Sequence, residues 1–242
     1  NDANETVAEF VREKIYSIVT DPDTAKKLLP TQVIGCKRLC LDTGYYETFN
    51  RSNVSLVDVG SDPIERITEN GLVAGGDQHT FDVLVYATGF DAMTGSLLKI
   101  DIRGRNNQPL AEAWDAGPVT YLGLSTAGFP NMFMVSGPGS PSVLTNMMMS
   151  IEQHVEWISD CISHIVSSGK TTIETTDKEQ TEWVAFVNAV ADMTLYPSCN
   201  SWYLGANVPG KPRVFMPLLG FPTYADKCSD VAAKGYEGFV LA

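Results

Sequence analysis

The sequence predicts an α/β fold, because short apolar runs that suit buried strands are followed by turns and by long amphipathic helices. Residues 131–135, Asn-Met-Phe-Met-Val, form one such run. Apolar residues then recur at helical spacing from Leu144 to Ile165, and Ser167-Ser168-Gly169 ends the pattern. A second run, residues 82–87, predicts a fully buried strand that leads into Thr88-Gly89.

Helical spacing of apolar residues predicts the other helices along the chain. Asp21-Pro22 is a typical start, since aspartate caps a helix and proline suits its first turn. We expect helices at 5–19, 21–29 and 45–49, a short one around 112–114, and further ones at 178–193 and 224–233.

Short apolar runs between turn residues predict the strands. Residues 54–59 read as a strand, and 64–67 with 71–73 read as a small antiparallel excursion. We expect hairpins between 101 and 125, a linker at 170–174 and an edge strand at 235–240.

The stretch Val135-Ser-Gly-Pro-Gly-Ser-Pro-Ser-Val143 between strand and helix is a candidate ligand-binding loop. Such a turn directs backbone N–H groups and the positive end of a helix dipole towards one point, where an anionic or electron-accepting group would bind. A simple strand-to-helix turn, capped by Ser140 or Ser142, explains the same residues.

Composition excludes several classes of function. The chain has 242 residues, 44% of them hydrophobic, and a net charge of −12, which argues against nucleic acid or an anionic membrane as a partner. Five scattered cysteines without a CxxC pair argue against a zinc site and favour a reducing, cytoplasmic setting. No apolar run approaches the ~20 residues that cross a bilayer.

Lys37 and Arg38 are adjacent cations within an apolar stretch. Neighbouring residues of an extended chain point to opposite faces, so the two should serve different partners. The flanking residues suggest burial, and a buried guanidinium usually meets an anion. They are Ile34, Cys36, Leu39, Cys40 and Leu41. A pair of solvated surface charges is the alternative.

The segment from Leu195 and two of the histidines are the remaining features of the sequence. The irregular segment from Leu195, rich in glycine, proline and aromatic residues, suits a ligand-contacting loop. His79 and His154 are interpreted as structural, since no nucleophile lies near His154 in the sequence.

Taken together, six segments resemble the C-terminal part of the Baeyer–Villiger monooxygenases, most closely the cyclohexanone monooxygenase group. They follow the order of the family and span nearly the whole chain. The segments are residues 37–50, 87–91, 101–105, 137–142, 151–157 and 200–213.

The resemblance implies part of a flavoprotein with two Rossmann-like dinucleotide-binding domains, one for FAD and one for NAD(P), with helical and irregular insertions. Residues 1–32 would end a helical insertion, 33–88 would belong to the NADPH domain, and 89–242 to the FAD domain, with a mobile loop around 198–213. The Gly-rich fingerprints of the family are missing, because no GxGxxG occurs in the sequence. The chain therefore looks like the C-terminal half, inactive by itself, with the N-terminal half of the same enzyme as its partner.

The implied reaction uses NADPH and O2 to insert oxygen beside a ketone carbonyl, through a peroxyflavin, and gives an ester or lactone. The resemblance makes Arg38 the catalytic cation and Lys37 the contact for the 2′-phosphate of NADPH. The other implied cofactor contacts are Thr88, Gly89, Gly137, Ser140, Pro141, Ser142, Asn146, Met147 and Trp202. The implied substrate pocket is formed by Leu144, Thr145, Phe215 and Leu218.

Two alternatives remain open at the level of sequence. One is a related flavin monooxygenase that oxygenates nitrogen or sulfur. The other is a non-catalytic flavoprotein fragment that kept the fold and lost the chemistry. Trp202 also has an alternative to its cofactor contact, which is a structural role as a buried aromatic side chain within the loop.

Overall fold

The computed structural model describes residues 2–141, 144–206, 208–210 and 220–242. The chain divides into two compact units, Asn1–Gly89 and Phe90–Ala242. Both contain helices and sheet, in agreement with the predicted α/β class.

Three helices open the first unit: α1 (Asp2–Ile18), α2 (Pro22–Leu28) and α3 (Tyr45–Thr48). Ile15 and Val19 of the α1 end pack with Ala25 of α2 in a small buried cluster. The predicted start of α2 is confirmed, since Asp21 Oδ2 accepts hydrogen bonds from Thr24 N at 2.8 Å and Thr24 Oγ1 at 2.7 Å.

A three-stranded antiparallel sheet follows, with β1 (Ile64–Thr68), β2 (Gly71–Ala74) and β3 (Asp77–Thr80) in sequence order. This confirms the predicted excursion and adds β3 to it. The central strand carries the buried residues Leu72, Val73 and Ala74, whereas the outer strands are largely exposed.

The strands predicted at 54–59 and 82–87 are wrong for this chain. Both stretches lack a ladder partner among the described residues, and Val83 and Val85 are 76% and 79% exposed. A strand forms only where a neighbour exchanges backbone hydrogen bonds with it, and apolar composition alone supplies no such neighbour.

The second unit contains five helices within its described part, and two of them are single turns. They are α4 (Gly95–Leu98), α5 (Leu110–Ala113), α6 (Met147–Ser167), α7 (Asp177–Asp192) and α8 (Phe221–Ala233). The predicted helices at 178–193 and 224–233 are thus confirmed within a few residues. Short 3-10 turns lie at Arg105–Asn107, Tyr196–Ser198 and Trp202–Leu204.

Strand β4 (Ile173–Thr175) pairs antiparallel with β5 (Phe239–Leu241). The expected edge strand is therefore confirmed, while the segment read as a linker contains its partner. Residues 131–135 do not form a regular strand, because Asn131 and Ser136 both have positive φ and break the extended run at each end.

The main core of the second unit lies where α6, α7 and α8 meet the turn at residues 121–125. Its large members are aromatic, and Trp157 Nε1 donates to Cys228 O at 2.9 Å across α6 and α8. A smaller cluster joins Leu110 and Trp114 to Phe129 and Met134. Within the described residues, no helix combines the length and the apolar character that a bilayer crossing requires.

Replacing Trp157 with Phe should lower the free energy of unfolding by more than replacing Trp114 with Phe. Both changes remove the same atoms from a buried site, but Trp157→Phe also removes the hydrogen bond from the indole N–H to the Cys228 carbonyl, a net contribution of roughly 0.5–1.5 kcal/mol. Trp114 Nε1 makes only a long contact of 3.4 Å to Thr126 Oγ1. Urea titration of both variants measures the difference, and equal losses would contradict the importance of the α6–α8 bond.

Candidate functional site

The candidate ligand loop, residues 136–141, is held to the rest of its unit by its carbonyl groups. Thr120 Oγ1 donates to Pro138 O at 2.7 Å, and Trp183 Nε1 donates to Gly139 O at 3.1 Å. Ser140 closes the turn on itself, since its hydroxyl donates to Gly137 O at 2.8 Å. The carbonyls therefore face the protein, and no described residue accepts a hydrogen bond from the N–H of Gly137 or Gly139.

The glycines of this loop are required by the protein's own packing. A Cβ on Gly137 would lie 2.4 Å from Gly123 O, and one on Gly139 would lie 2.6 Å from Thr120 Oγ1. Gly123 is equally confined, because its Cβ would meet Ser140 N at 2.4 Å. The loop and the 121–125 turn thus touch backbone to backbone, a contact that only glycine allows.

His154 holds the other side of the loop. Its side chain is fully buried, and its Nδ1 accepts the N–H of Ser136 at 2.9 Å. Its Nε2 lies 2.9 Å from the hydroxyl of Tyr224, which donates its own proton to Leu122 O at 2.8 Å. Burial lowers the pKa of His154 to about 4, so the ring is neutral near pH 7.

These contacts agree with the interpretation of His154 as structural. His79 lies on β3, half-buried, with its ring stacked on Phe81. The described residues contain no group of three His, Cys, Asp or Glu side chains that could hold a metal ion.

Helix α6 begins immediately after the loop and is capped by Asn146, whose Oδ1 accepts from Met148 N at 3.1 Å. The alternative cap at Ser140 is wrong, because that hydroxyl is used within the loop. Two buried hydroxyls in this region, Ser136 Oγ and Ser150 Oγ, have no hydrogen-bond partner among the residues that the structure describes.

The residues expected around a ligand are close together at this end of α6. Leu144, Thr145 and Met147 are half-exposed, and Pro141 is buried. Met148 and Met149, in the first turn of α6, are 72% and 51% exposed. Ser142, Phe215 and Leu218 lie outside the described residues.

In the first unit, Lys37 and Arg38 occupy an irregular, exposed segment. The expected burial holds for Cys36, which is 3% exposed, and is wrong for Leu39, which is 67% exposed, and for Leu41, which is fully exposed. The apolar neighbours alone could not bury these leucines, because burial requires a second surface. Thr88 and Gly89 are also exposed, and Gly89 adopts a φ of +83°.

Trp202 begins the 3-10 turn Trp202–Leu204 in the described part of the 198–213 loop. Its ring is half-buried and packs edge-on against Tyr203 at a centroid distance of 4.4 Å. Tyr203 and Leu204 are the buried anchors of this turn, so Trp202 occupies the position at its surface.

No family model matches the chain. It is 43% identical to the cyclohexanone 1,2-monooxygenase of an Acinetobacter species, over 98% of the chain and 44% of that protein. The chain belongs to the Baeyer–Villiger monooxygenase family. It spans about half the length of the curated relatives it matches.

The likeness to these monooxygenases extends to solved structures. The crystal structure titled OTEMO complex with FAD and NADP has a TM-score of 0.95 and 40% identity, over 100% of this chain and 45% of that one. A phenazine N-monooxygenase from Lysobacter antibioticus is also 43% identical, over 99% of this chain and 44% of that protein. The sequence identity is the same, 43%, to a ketone monooxygenase and to an N-monooxygenase. It therefore shows the monooxygenase family but does not distinguish oxygenation beside a ketone carbonyl from oxygenation of nitrogen.

The stability of this monooxygenase chain should fall as the pH drops from about 6.5 towards 4. The pKa of His154 is lower in the folded chain than in the unfolded one, so the unfolded state takes up the proton first. The contribution of His154 to the free energy of unfolding is complete above pH ~6.5. Below that pH it declines, by at most ~1.4 kcal/mol per pH unit.

Urea titrations of wild type and His154→Asn test this pH dependence. The difference in unfolding free energy between them should narrow as the pH falls. A gap that does not change with pH would refute the assignment to His154.

Replacing Gly123 with Ala should destabilise the chain far more than replacing Gly169 with Ala. Both residues have a positive φ, +70° and +67°, but only Gly123 has backbone atoms where the new Cβ would lie. Strain at φ should cost each variant roughly 1–2 kcal/mol, and crowding should add about 1–3 kcal/mol at Gly123 alone. Chemical denaturation of the two variants measures this difference, which would vanish if the loop were loosely packed.

Proposed function

We propose that this chain forms part of an FAD- and NADPH-dependent Baeyer–Villiger monooxygenase that uses O2 to convert ketones, cyclic ones included, to esters or lactones. The observation that carries the proposal is similarity over essentially the full chain to monooxygenases of this family. The charge pair at Lys37 and Arg38 and the 136–141 loop are the parts of the chain through which it would act.

The 136–141 loop suits one edge of a flavin. Its carbonyls are bound to the protein, so the N–H groups of Gly137 and Gly139 remain for a ligand. The dipole of the long helix α6 adds positive potential at the same end. FAD, when bound and reduced by NADPH, supplies the electrons and the oxygen chemistry. In this proposal Ser140, Pro141, Ser142, Asn146 and Met147 line its site.

Arg38 is proposed as the fixed cation that stabilises negative charge during oxygen transfer. A guanidinium keeps its charge at any working pH, and its planar fork can contact two groups in succession. Lys37, on the opposite face of the segment, would meet the 2′-phosphate of NADPH as a point charge. Thr88 and Gly89 would act as a hinge near the cofactors, and Trp202 would belong to the loop that closes over NADP.

The ketone pocket is proposed at the start of α6. Leu144 and Thr145 offer half-exposed apolar and hydroxyl surface beside the loop, and Phe215 and Leu218 would complete the walls. An apolar wall keeps water away from reactive oxygen species, which preserves them for the substrate.

The proposed partner of the chain is the remaining half of the same enzyme. The apolar residues of 82–87 and the pair Leu39 and Leu41 are exposed in the first unit, and surfaces of this kind mark interaction sites. A sheet contributed by that half would pair the unpartnered stretch at 82–87. A cytoplasmic location completes the proposal.

Co-expression with the remaining half of a close relative tests the function directly. We expect a yellow protein that consumes NADPH on addition of a cyclic ketone and forms the lactone in equal amount, by gas chromatography. A colourless protein, or NADPH consumption with only hydrogen peroxide released, would refute the proposal. Formation of an N-oxide from a phenazine with no lactone from the ketone would instead support the nitrogen-oxygenating alternative.

In the same assembled enzyme, Arg38→Ala should keep FAD bound but lower the rate of lactone formation by a factor of about 100–1,000, because a preorganised charge is lost. Lys37→Ala is the matched control: it should raise the KM for NADPH with a smaller effect on kcat. Steady-state kinetics separate the two, and a normal lactone rate in Arg38→Ala would remove Arg38 from its proposed role.

A further inference from the structure

We propose that His154 is a positioning residue that sets the 136–141 loop at the distance from FAD that binding requires. The inference depends on the proposed function, because it assigns the loop to the flavin. It concerns a residue that contacts neither cofactor nor substrate and acts through the Ser136 backbone.

The contact on the loop side is specific. Ser136 has a φ of +55°, an uncommon conformation for a residue with a side chain, and its N–H points into the protein at His154 Nδ1. Directly after it come Gly137, whose carbonyl accepts from Ser140 within the loop, and Pro138, whose carbonyl accepts from Thr120. The histidine therefore fixes the residue at which the backbone turns towards the flavin position.

The hydrogen bond between Tyr224 and His154 determines which ring nitrogen of His154 carries the proton. Tyr224 Oη donates its proton to Leu122 O, so its lone pair accepts the proton on His154 Nε2. Nδ1 is then left unprotonated and can accept from Ser136. Both aromatic side chains are fully buried, so no water competes for these bonds.

These bonds close a ring of contacts around the loop. From Ser136 the ring passes through His154 and Tyr224 to Leu122, and the next residue, Gly123, lies against Gly137 and Ser140. His154 on α6 and Tyr224 on α8 thus support the same loop that the 121–125 turn contacts directly. Ser150, one turn before His154 on α6, also has its hydroxyl buried near the start of the helix.

Two substitutions separate the two halves of this arrangement. His154→Asn places an amide oxygen near the position of Nδ1, so it keeps the acceptor for Ser136 and loses the bond to Tyr224. His154→Gln reaches the position of Nε2, so it keeps the bond to Tyr224 and loses the acceptor for Ser136. Each removes one buried hydrogen bond, so their effects on stability should be similar.

The measurement is FAD affinity in the assembled enzyme, by quenching of flavin fluorescence, at a temperature where thermal scans show every variant folded. His154→Gln should weaken FAD binding at least about tenfold, a loss equivalent to ~1.4 kcal/mol, and shift the flavin absorption band. His154→Asn should keep the affinity within about threefold of wild type. His164→Gln changes a half-buried histidine on the same helix whose ring packs on Tyr236, and it should match wild type.

The outcomes distinguish the inference from the function on which it depends. Equal affinities for the Asn and Gln variants, with wild type binding FAD normally, would overturn the inference alone. A wild-type assembly that binds no FAD would overturn both. Should the Gln variant fail to fold, nitrogen NMR of the wild-type imidazole decides, because a proton on Nδ1 in place of Nε2 would overturn the inference and the reverse would support it.

Discussion

The hydrogen bond between Tyr224 and His154 is the interaction on which most of the second unit depends. It lies in the interior and joins α6 to α8, and through its two further bonds it reaches the 121–125 turn and the 136–141 loop. An imidazole buried at this depth would be costly if either nitrogen lacked a partner. Here both nitrogens are satisfied, and the same bonds that offset the cost of burial also determine which segments can lie together.

The interior around this pair is aromatic and depends on side chains that both fill volume and make one polar contact. Trp157 and Trp183 each donate their indole N–H to a backbone carbonyl, of Cys228 and Gly139 respectively. Large rings bury much apolar area, and each indole N–H also finds a backbone carbonyl as its acceptor. The 136–141 loop is thus fixed in position although it has no regular secondary structure.

The sequence predicted the helices well because helical periodicity is a local property. Apolar residues from Leu144 to Ile165 place α6 correctly, and Asp21 with Pro22 locates the start of α2. The strands at 54–59 and 82–87 were mispredicted because a strand depends on a neighbour that local sequence cannot reveal. The same limitation affected Arg38: its apolar flanks were visible in the sequence, but whether another surface covers them was not.

The loop at 136–141 was recognised from glycine and proline alone, yet the reason for its glycines was found only in the structure, where they pack against Gly123 and Thr120. His154 was read as structural without its partners, although its spacing from Trp157, Cys161 and Ile165 already placed it on the inward face of α6. Partners such as Ser136 and Tyr224 are distant in sequence, and pairing over such separations leaves no local pattern.

The exposed run at 82–87 has a consequence for how this chain is made. An extended stretch in which Val83, Leu84, Val85 and Tyr86 follow one another without a charge is a template on which other copies can add strands, and such surfaces promote aggregation in newly synthesised protein. A chain that exposes this stretch is therefore prone to self-association, and covering it should raise the yield of soluble protein.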